Sequence, residues 1–274
     1  MLAFAALGTM TGCDDDDKDS VKVPAAVQDM FGQMFPDAGH VEWAGKGGYL
    51  VADFREGGTD MQAWFDASGK WYMTEEDVPY ARLPQAVRTA FESGEYAAWH
   101  VDDVDKLTRE GLETVYVLEV EQRDAEYDLV YSEDGVLLRA VPDTDGDRDH
   151  GDMLPQELSQ AVKEFVGQKY PGARIVDAER EKGNLEVGII DGRTPREVCF
   201  GTDDTWLWTK TEVGRSEVPA AVMQAFQASQ YAGWEIDDVD HYDSPDRRWY
   251  LFELEDPQSD REAELRIQAD GTIL

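Results

Sequence analysis

The chain repeats itself. Sliding it so that Pro84 falls on Pro219 also brings Phe91 onto Phe226, Tyr96 onto Tyr231, Trp99 onto Trp234 and Asp102-Asp103-Val104-Asp105 onto Asp237-Asp238-Val239-Asp240. The same offset superimposes Val27 on Val162, Pro36 on Pro171, Gly57 on Gly192, Phe65 on Phe200 and Trp71 on Trp206, so the duplication extends through a whole folding unit. Two units of ordinary domain size result, at 21–142 and 152–274, with an acidic linker at 143–151 between them. Eight Trp, eleven Tyr and ten Phe in a chain that is 42% hydrophobic can fill two modest cores.

Within each unit the hydrophobic period changes twice. Four segments open with an apolar residue and a proline, at Val23-Pro24, Leu83-Pro84, Leu154-Pro155 and Val218-Pro219. Proline suits the start of a helix, where its missing N–H costs nothing. Val27, Met30, Phe31, Met34 and Phe35 then follow a helical stripe, as do Leu158, Val162, Phe165 and Val166. After each helix the period becomes two: Tyr116, Leu118 and Val120 alternate with Val117 and Glu119, and Tyr250, Phe252 and Leu254 repeat the pattern. By the same alternation Trp71 shares a strand face with Met73, and Trp206 with Trp208. Asp66-Ala67-Ser68-Gly69, Asp134-Gly135 and Asp270-Gly271 read as hairpin turns, which need positive φ. The predicted class is therefore α+β: tandem repeats of a helix followed by antiparallel β-strands, with the helices packed on one face of the sheet.

Charge limits the partners. Against 25 basic residues stand 59 acidic ones, a net charge of −34, which repels nucleic acid and anionic membrane surfaces. Two cysteines provide no disulfide framework: Cys199 lies in an apolar run, and Cys13 follows Met10-Thr11-Gly12 behind the short apolar segment Leu2 to Leu7. That terminus resembles a bacterial lipoprotein signal over residues 1–12, with Met10 at the usual leucine position and no basic residue ahead of the apolar stretch. The resemblance implies lipidation at Cys13, with a lipid anchor as the only membrane contact. The acidic run at 13–20 would be a hydrated tether and is similar to export signals of surface lipoproteins in some Gram-negative bacteria. The expected address is the cell envelope: anchored in the outer membrane, periplasmic or surface-exposed.

The chain contains no Gly-x-Ser-x-Gly elbow, His-Glu-x-x-His pair, Walker-type loop or Gly-x-Gly-x-x-Gly loop, and its four histidines are scattered, so an enzyme is not expected. Asp143, Asp145, Asp147 and Asp149 alternate around Gly146; such a run can wrap Ca²⁺, and is also what a solvated linker uses. Trp71, Met73, Trp206 and Trp208 are candidates for contact with a protein or glycan if they face away from the helices, and core residues if they face them.

The Pro-led helices, together with Tyr-Val-Leu-Glu-Val-Glu at 116–121 and Glu-Tyr-Asp-Leu-Val-Tyr-Ser-Glu-Asp-Gly at 126–135, resemble the PepSY-like, β-lactamase-inhibitor-like family across nearly all of 21–274. The resemblance implies tandem α-β-β-β-type repeats in a secreted or envelope protein. It also implies an association with binding or inhibiting other proteins, and no catalytic residues. The expected function is thus a non-catalytic, protein-binding or inhibitor-like module. The alternative is a structural or Ca²⁺-binding acidic envelope protein.

Overall fold

A computed structural model describes residues 21–142, 150–259 and 261–274. Cys13 and the aspartates at 143, 145, 147 and 149 lie outside them. Two antiparallel meanders make up the architecture. The first has eight strands, β1 to β8, at Gly39–Lys46, Tyr49–Glu56, Thr59–Phe65, Trp71–Asp77, His100–Arg109, Val115–Gln122, Ala125–Ser132 and Leu137–Pro142. The second has seven, β9 to β15, at Arg174–Glu181, Asn184–Asp191, Thr194–Phe200, Trp206–Glu212, Glu235–Asp243, Arg248–Asp256 and Arg261–Gln268. Four short helices, α1 (Ala25–Met34), α2 (Gln85–Ser93), α3 (Gln160–Lys169) and α4 (Ala220–Gln227), each precede a group of strands. The fold is thus mostly β. Each of the first three helices leads four strands rather than three. Behind α4 a lone bridge between Ile267 and Ile273 stands where a fourth strand would pair.

Each helix buries two side chains against its own strands. Val27 and Phe31 of α1 meet Ala52, Phe54, Ala63 and Phe65, with Phe31 edge-on to Phe54 at 5.0 Å between ring centroids. Val87 and Phe91 of α2 meet Val104, Leu118, Leu129 and Tyr131. The second unit repeats this with Val162 and Val166 of α3, and with Phe226 of α4 stacked on Phe252 at 5.3 Å. The helix faces of the two sheets therefore carry the repeated hydrophobic positions.

Pro24, Pro84 and Pro219 open their helices as read from sequence, their carbonyls accepting the first helical N–H groups. Leu154-Pro155 does not. There the chain stays extended until Ser159, whose hydroxyl accepts the N–H of Val162 at 3.2 Å and caps α3. The segment around Pro155 has another use: Leu154 packs on the first sheet, Leu158 packs under the second, and the Gln156 N–H donates to the Ala178 carbonyl.

Gly69, Gly135 and Gly271 close the helix-facing hairpins at φ +91°, +77° and +93°. A Cβ on Gly69 would stand 2.7 Å from the Ala26 carbonyl oxygen, and one on Gly135 would overlap the Ala86 carbonyl. The turn glycines are therefore fixed by the helix lying against them as well as by φ. Gly135→Ala is expected to cost about 2 to 4 kcal/mol, combining left-handed strain with displacement of α2. Urea unfolding measures it; a loss below ~1 kcal/mol would show that the helix yields freely.

Candidate functional site

The face of each sheet that carries no helix is the part of the fold not already committed to a helix core. Two β-bulges determine which of the candidates Trp71, Met73, Trp206 and Trp208 reach it. In the first sheet Trp64 pairs with Met73 while its neighbour Phe65 pairs with Trp71, so one residue of β4 is skipped. In the second, Cys199 pairs with Trp208 and Phe200 with Trp206. An extra residue reverses the alternation. Trp71 and Met73 consequently lie on opposite faces, as do Trp206 and Trp208, contrary to the face-sharing that the two-residue period predicts.

Trp71 packs in the helix-side core beside Phe65, its indole N–H donating to Thr74 Oγ1 at 3.0 Å. Trp206 does the same, with its N–H on Thr209 Oγ1 at 3.1 Å and the ammonium of Lys169 3.8 Å from its ring centroid. Met73 reaches the other face but is completely buried. It cannot present itself to a partner. Of the four candidates only Trp208 is both on the helix-free face and half-exposed.

The helix-free faces correspond row by row. On the first sheet Glu75 pairs with Leu107 and Leu107 with Val115; on the second Lys210 pairs with Tyr242 and Tyr242 with Trp249. The next row runs Asp105, Val117, Val130 in the first and Asp240, Leu251, Arg266 in the second. The first version is covered, and apolar apart from the buried carboxylates Glu75 and Asp105. Met153 and Leu154, in the strap that leaves the linker through a 3-10 turn at Gly151–Met153, pack with Met73, Leu107, Val115 and Val117. The second version is aromatic and half-exposed: Trp208 meets Tyr242 at 5.3 Å, and Trp249 stacks on Tyr242 at 4.9 Å with an 8° interplanar angle.

The strap also carries charge. Buried His150 places Nε2 3.2 Å from Asp105 Oδ2, and its backbone N–H donates to the Glu75 carboxylate at 3.4 Å. Burial works against the imidazolium. The Asp105 hydrogen bond and the nearby charges of Glu75, Asp105 and Asp128 outweigh it, pushing His150 up to about 9. The ligand atoms of Glu75, Asp105 and His150 lie within 4.8 Å of one another, as do those of Asp103, Asp105 and Glu119. The cation that the first set shares is the imidazolium itself. Glu119, desolvated and facing Asp103 and Asp128, is pushed up to about 7. On the second sheet Lys210 supplies the local cation, 3.0 Å from Glu197. Burial raises Glu186 to about 7 and Asp240 to about 6, aided respectively by Glu197 and by Glu253 with Glu212.

A second set of contacts ties the two units together. Arg109, 2% exposed, donates to Asp177 Oδ1 at 2.8 Å and to the Val176 carbonyl at 2.5 Å. Arg174 reaches back to Glu113 at 2.9 Å and to Asp134 at 3.0 Å. Val136 packs with Val176 and Ile190.

The family model described as "Putative beta-lactamase-inhibitor-like, PepSY-like" matches residues 48–139 and again residues 183–274. The chain belongs to the PepSY-like family. Each match begins at the second strand of its sheet, β2 or β10, and includes the internal helix α2 or α4, so the tandem PepSY-like matches fall one on each meander, with β1 and β9 and the helices before them outside the matched ranges. No curated protein matches the chain.

Among solved structures, a BLIP-like protein from Bacteroides fragilis is 39% identical, over 50% of this chain and 97% of that one, with a TM-score of 0.47. A DUF2874 family protein from Bacteroides ovatus is 34% identical over 48% of this chain and 95% of its own, with a TM-score of 0.46. A structure described as "putative periplasmic proteins" from Bacteroides eggerthii is 26% identical over 44% and 90%, with a TM-score of 0.43. Among the described residues of this PepSY-like chain, no helix is long and apolar enough to cross a membrane.

Sequence reading missed His150, Arg109, Lys210, Tyr242 and Trp249. Trp249 was within reach, because it alternates with Leu251 against the helix-facing set Tyr250, Phe252 and Leu254. His150 and Arg109 act through residues more than forty positions away, and no local pattern marks them.

Proposed function

We propose that this PepSY-like chain is a non-catalytic, protein-binding lipoprotein of the cell envelope, anchored through Cys13, that engages its partner with the helix-free face of the second sheet. The observation that carries the reading is the half-exposed row Trp208, Tyr242 and Trp249, set against a first-sheet counterpart that the chain covers itself. Large aromatic side chains of this kind dominate protein interfaces, because they bury much area at little entropic cost. The inhibitor-like family description supports a protein target, a hydrolase being the natural class. The lipobox-like Met10-Thr11-Gly12-Cys13 supports the envelope address. The thiol on this face, Cys199, is buried beside Glu186 and pushed up to about 12 by that burial, far from a reactive thiolate.

Capture from an envelope extract tests the reading. Wild-type chain is expected to retain a specific protein that Trp208→Ala and Trp249→Ala lose by tenfold or more. Trp71→Ala, on the helix side, serves as a control that keeps the protein if it stays folded. A chain that holds nothing specific at either low or moderate salt would instead favour a structural, acidic envelope role.

A further inference from the structure

The first sheet shows how this fold covers its helix-free face. The occupant is a short strap, residues 150–154, wound into one 3-10 turn at Gly151–Met153, which places a cation on Asp105 and Glu75 and two apolar side chains, Met153 and Leu154, over Leu107, Val115 and Val117. On the second sheet the same rows hold Asp240, Lys210, Tyr242, Trp249 and Leu251. Tyr242 and Trp249 offer flat apolar area where the first sheet has Leu107 and Val115. Their half-exposure corresponds to the place of the strap.

Charge narrows the choice of occupant. Glu212, Asp240, Glu253 and Glu264 flank the aromatic row, and the cations facing them are Lys210, already 3.0 Å from Glu197, and Arg266, which pairs with Glu264. Asp240 and Glu253 sit beside one another across β13 and β14, with no cation bonded to either among the described residues. A like-charged partner would deepen the repulsion; a cationic one relieves it. Aromatic rings beside carboxylates also receive lysine or arginine favourably, and Arg247 already lies 5.4 Å from the Trp249 ring centroid.

Resting on the docking face assigned above, we infer that the second sheet receives a short, tightly turned segment of a partner protein, carrying a lysine or arginine followed by apolar residues, in the way residues 150–154 occupy the first sheet. The segment lays its apolar side chains across Tyr242 and Trp249 and places its cation beside Asp240 and Glu253. The chain thus holds one face closed by its own strap and one face open to a similar segment from outside.

The test uses the full-length protein and a synthetic peptide with the sequence of residues 150–158 carrying Asp152→Lys and Glu157→Lys. Titration is followed by the indole NMR resonances of Trp208 and Trp249. Saturable shifts of these two resonances are expected, with apparent Kd rising at least tenfold on Trp249→Ala, and at least threefold on Asp240→Asn or Glu253→Gln, both of which preserve shape. A fivefold or greater loss of affinity between 50 and 300 mM salt is also expected. The unsubstituted peptide is expected to bind more weakly. Equal binding of both peptides, or shifts confined to other tryptophans, would overturn the inference. So would no binding of either peptide while a captured envelope protein still depends on Trp208 and Trp249; in that case the docking face stands and only its basic, strap-like ligand falls. Loss of both overturns the face itself.

Discussion

Arg109→Ala is expected to lower the stability of the chain by about 3 kcal/mol, the range for removing one partner from a buried charged pair. The guanidinium lies on the covered face of the first sheet and holds both Asp177 and the Val176 carbonyl of β9. Its removal leaves that carbonyl without the guanidinium donor, and Asp177, among the described residues, with Arg139 at 3.7 Å as its remaining cation. Arg109→Lys should recover less than half of the loss, because an ammonium cannot bridge a carboxylate and a carbonyl as a planar fork does. The effect extends beyond local stability, since these contacts join the two units. Denaturant unfolding followed separately through fluorescence of the two units is expected to coincide in wild type and to separate in the variant. Coincident curves with unchanged midpoints would mean that Arg109 is not a joint between the units.

Raising the pH from 5.5 to 9.5 is the second large perturbation. His150 stands at about 9 in the folded chain against 6.5 ordinarily, so its contribution is complete below about 6.5 and is lost as the pH climbs through 9. A difference of that size is on the order of 3 kcal/mol. The groups facing the imidazole from β4, β5, β6 and β7 are Glu75, Asp103, Asp105, Glu119 and Asp128. Glu119 at about 7, Glu186 at about 7 and Asp240 at about 6 act in the same direction. Each favours the folded state when protonated, and that advantage is lost as the pH rises through its folded value.

Carboxylates held low by hydrogen bonds, such as Asp66 by Ser68 and Asp134 by Ser132, oppose this only at acid pH, where protonation removes their contribution. Thermal stability should therefore peak near pH 5 and decline steadily into the alkaline range. His150→Gln should remove the part of the decline between pH 6.5 and 9 and lower the acid-side maximum by about the same 3 kcal/mol. A flat wild-type profile between pH 6 and 9 would show that His150 is not held as an imidazolium. The physical consequence is local: deprotonation loosens the strap that covers Leu107, Val115 and Val117.

The duplication, the turn glycines and the Pro-led helices α1, α2 and α4 are features of local sequence, and local physics is enough to place them. A proline at a helix start, an Asp-Gly at a hairpin and an apolar residue every second position act over a few residues. The family resemblance follows from the same short-range patterns. The helix read at Leu154-Pro155 failed because Leu154 and Leu158 each find a different sheet to pack against, a reward larger than one more turn of helix. The face of Met73 and Trp208 was misread because a single bulged residue in β4 and in β12 reverses the alternation, and a bulge is set by pairing with the neighbouring strand rather than by its own side chains.

The sequence by itself determined that this chain is a tandem, acidic, mostly antiparallel protein without a recognisable catalytic motif, because composition and periodicity are properties of the chain. Only the tertiary structure decided that one helix-free face is closed and the other open. That asymmetry depends on where His150, Met153 and Leu154 land, and their partners Asp105, Met73 and Leu107 lie more than forty residues away. Two nearly equivalent sequences thus receive different surfaces, because the strap between them covers only the first.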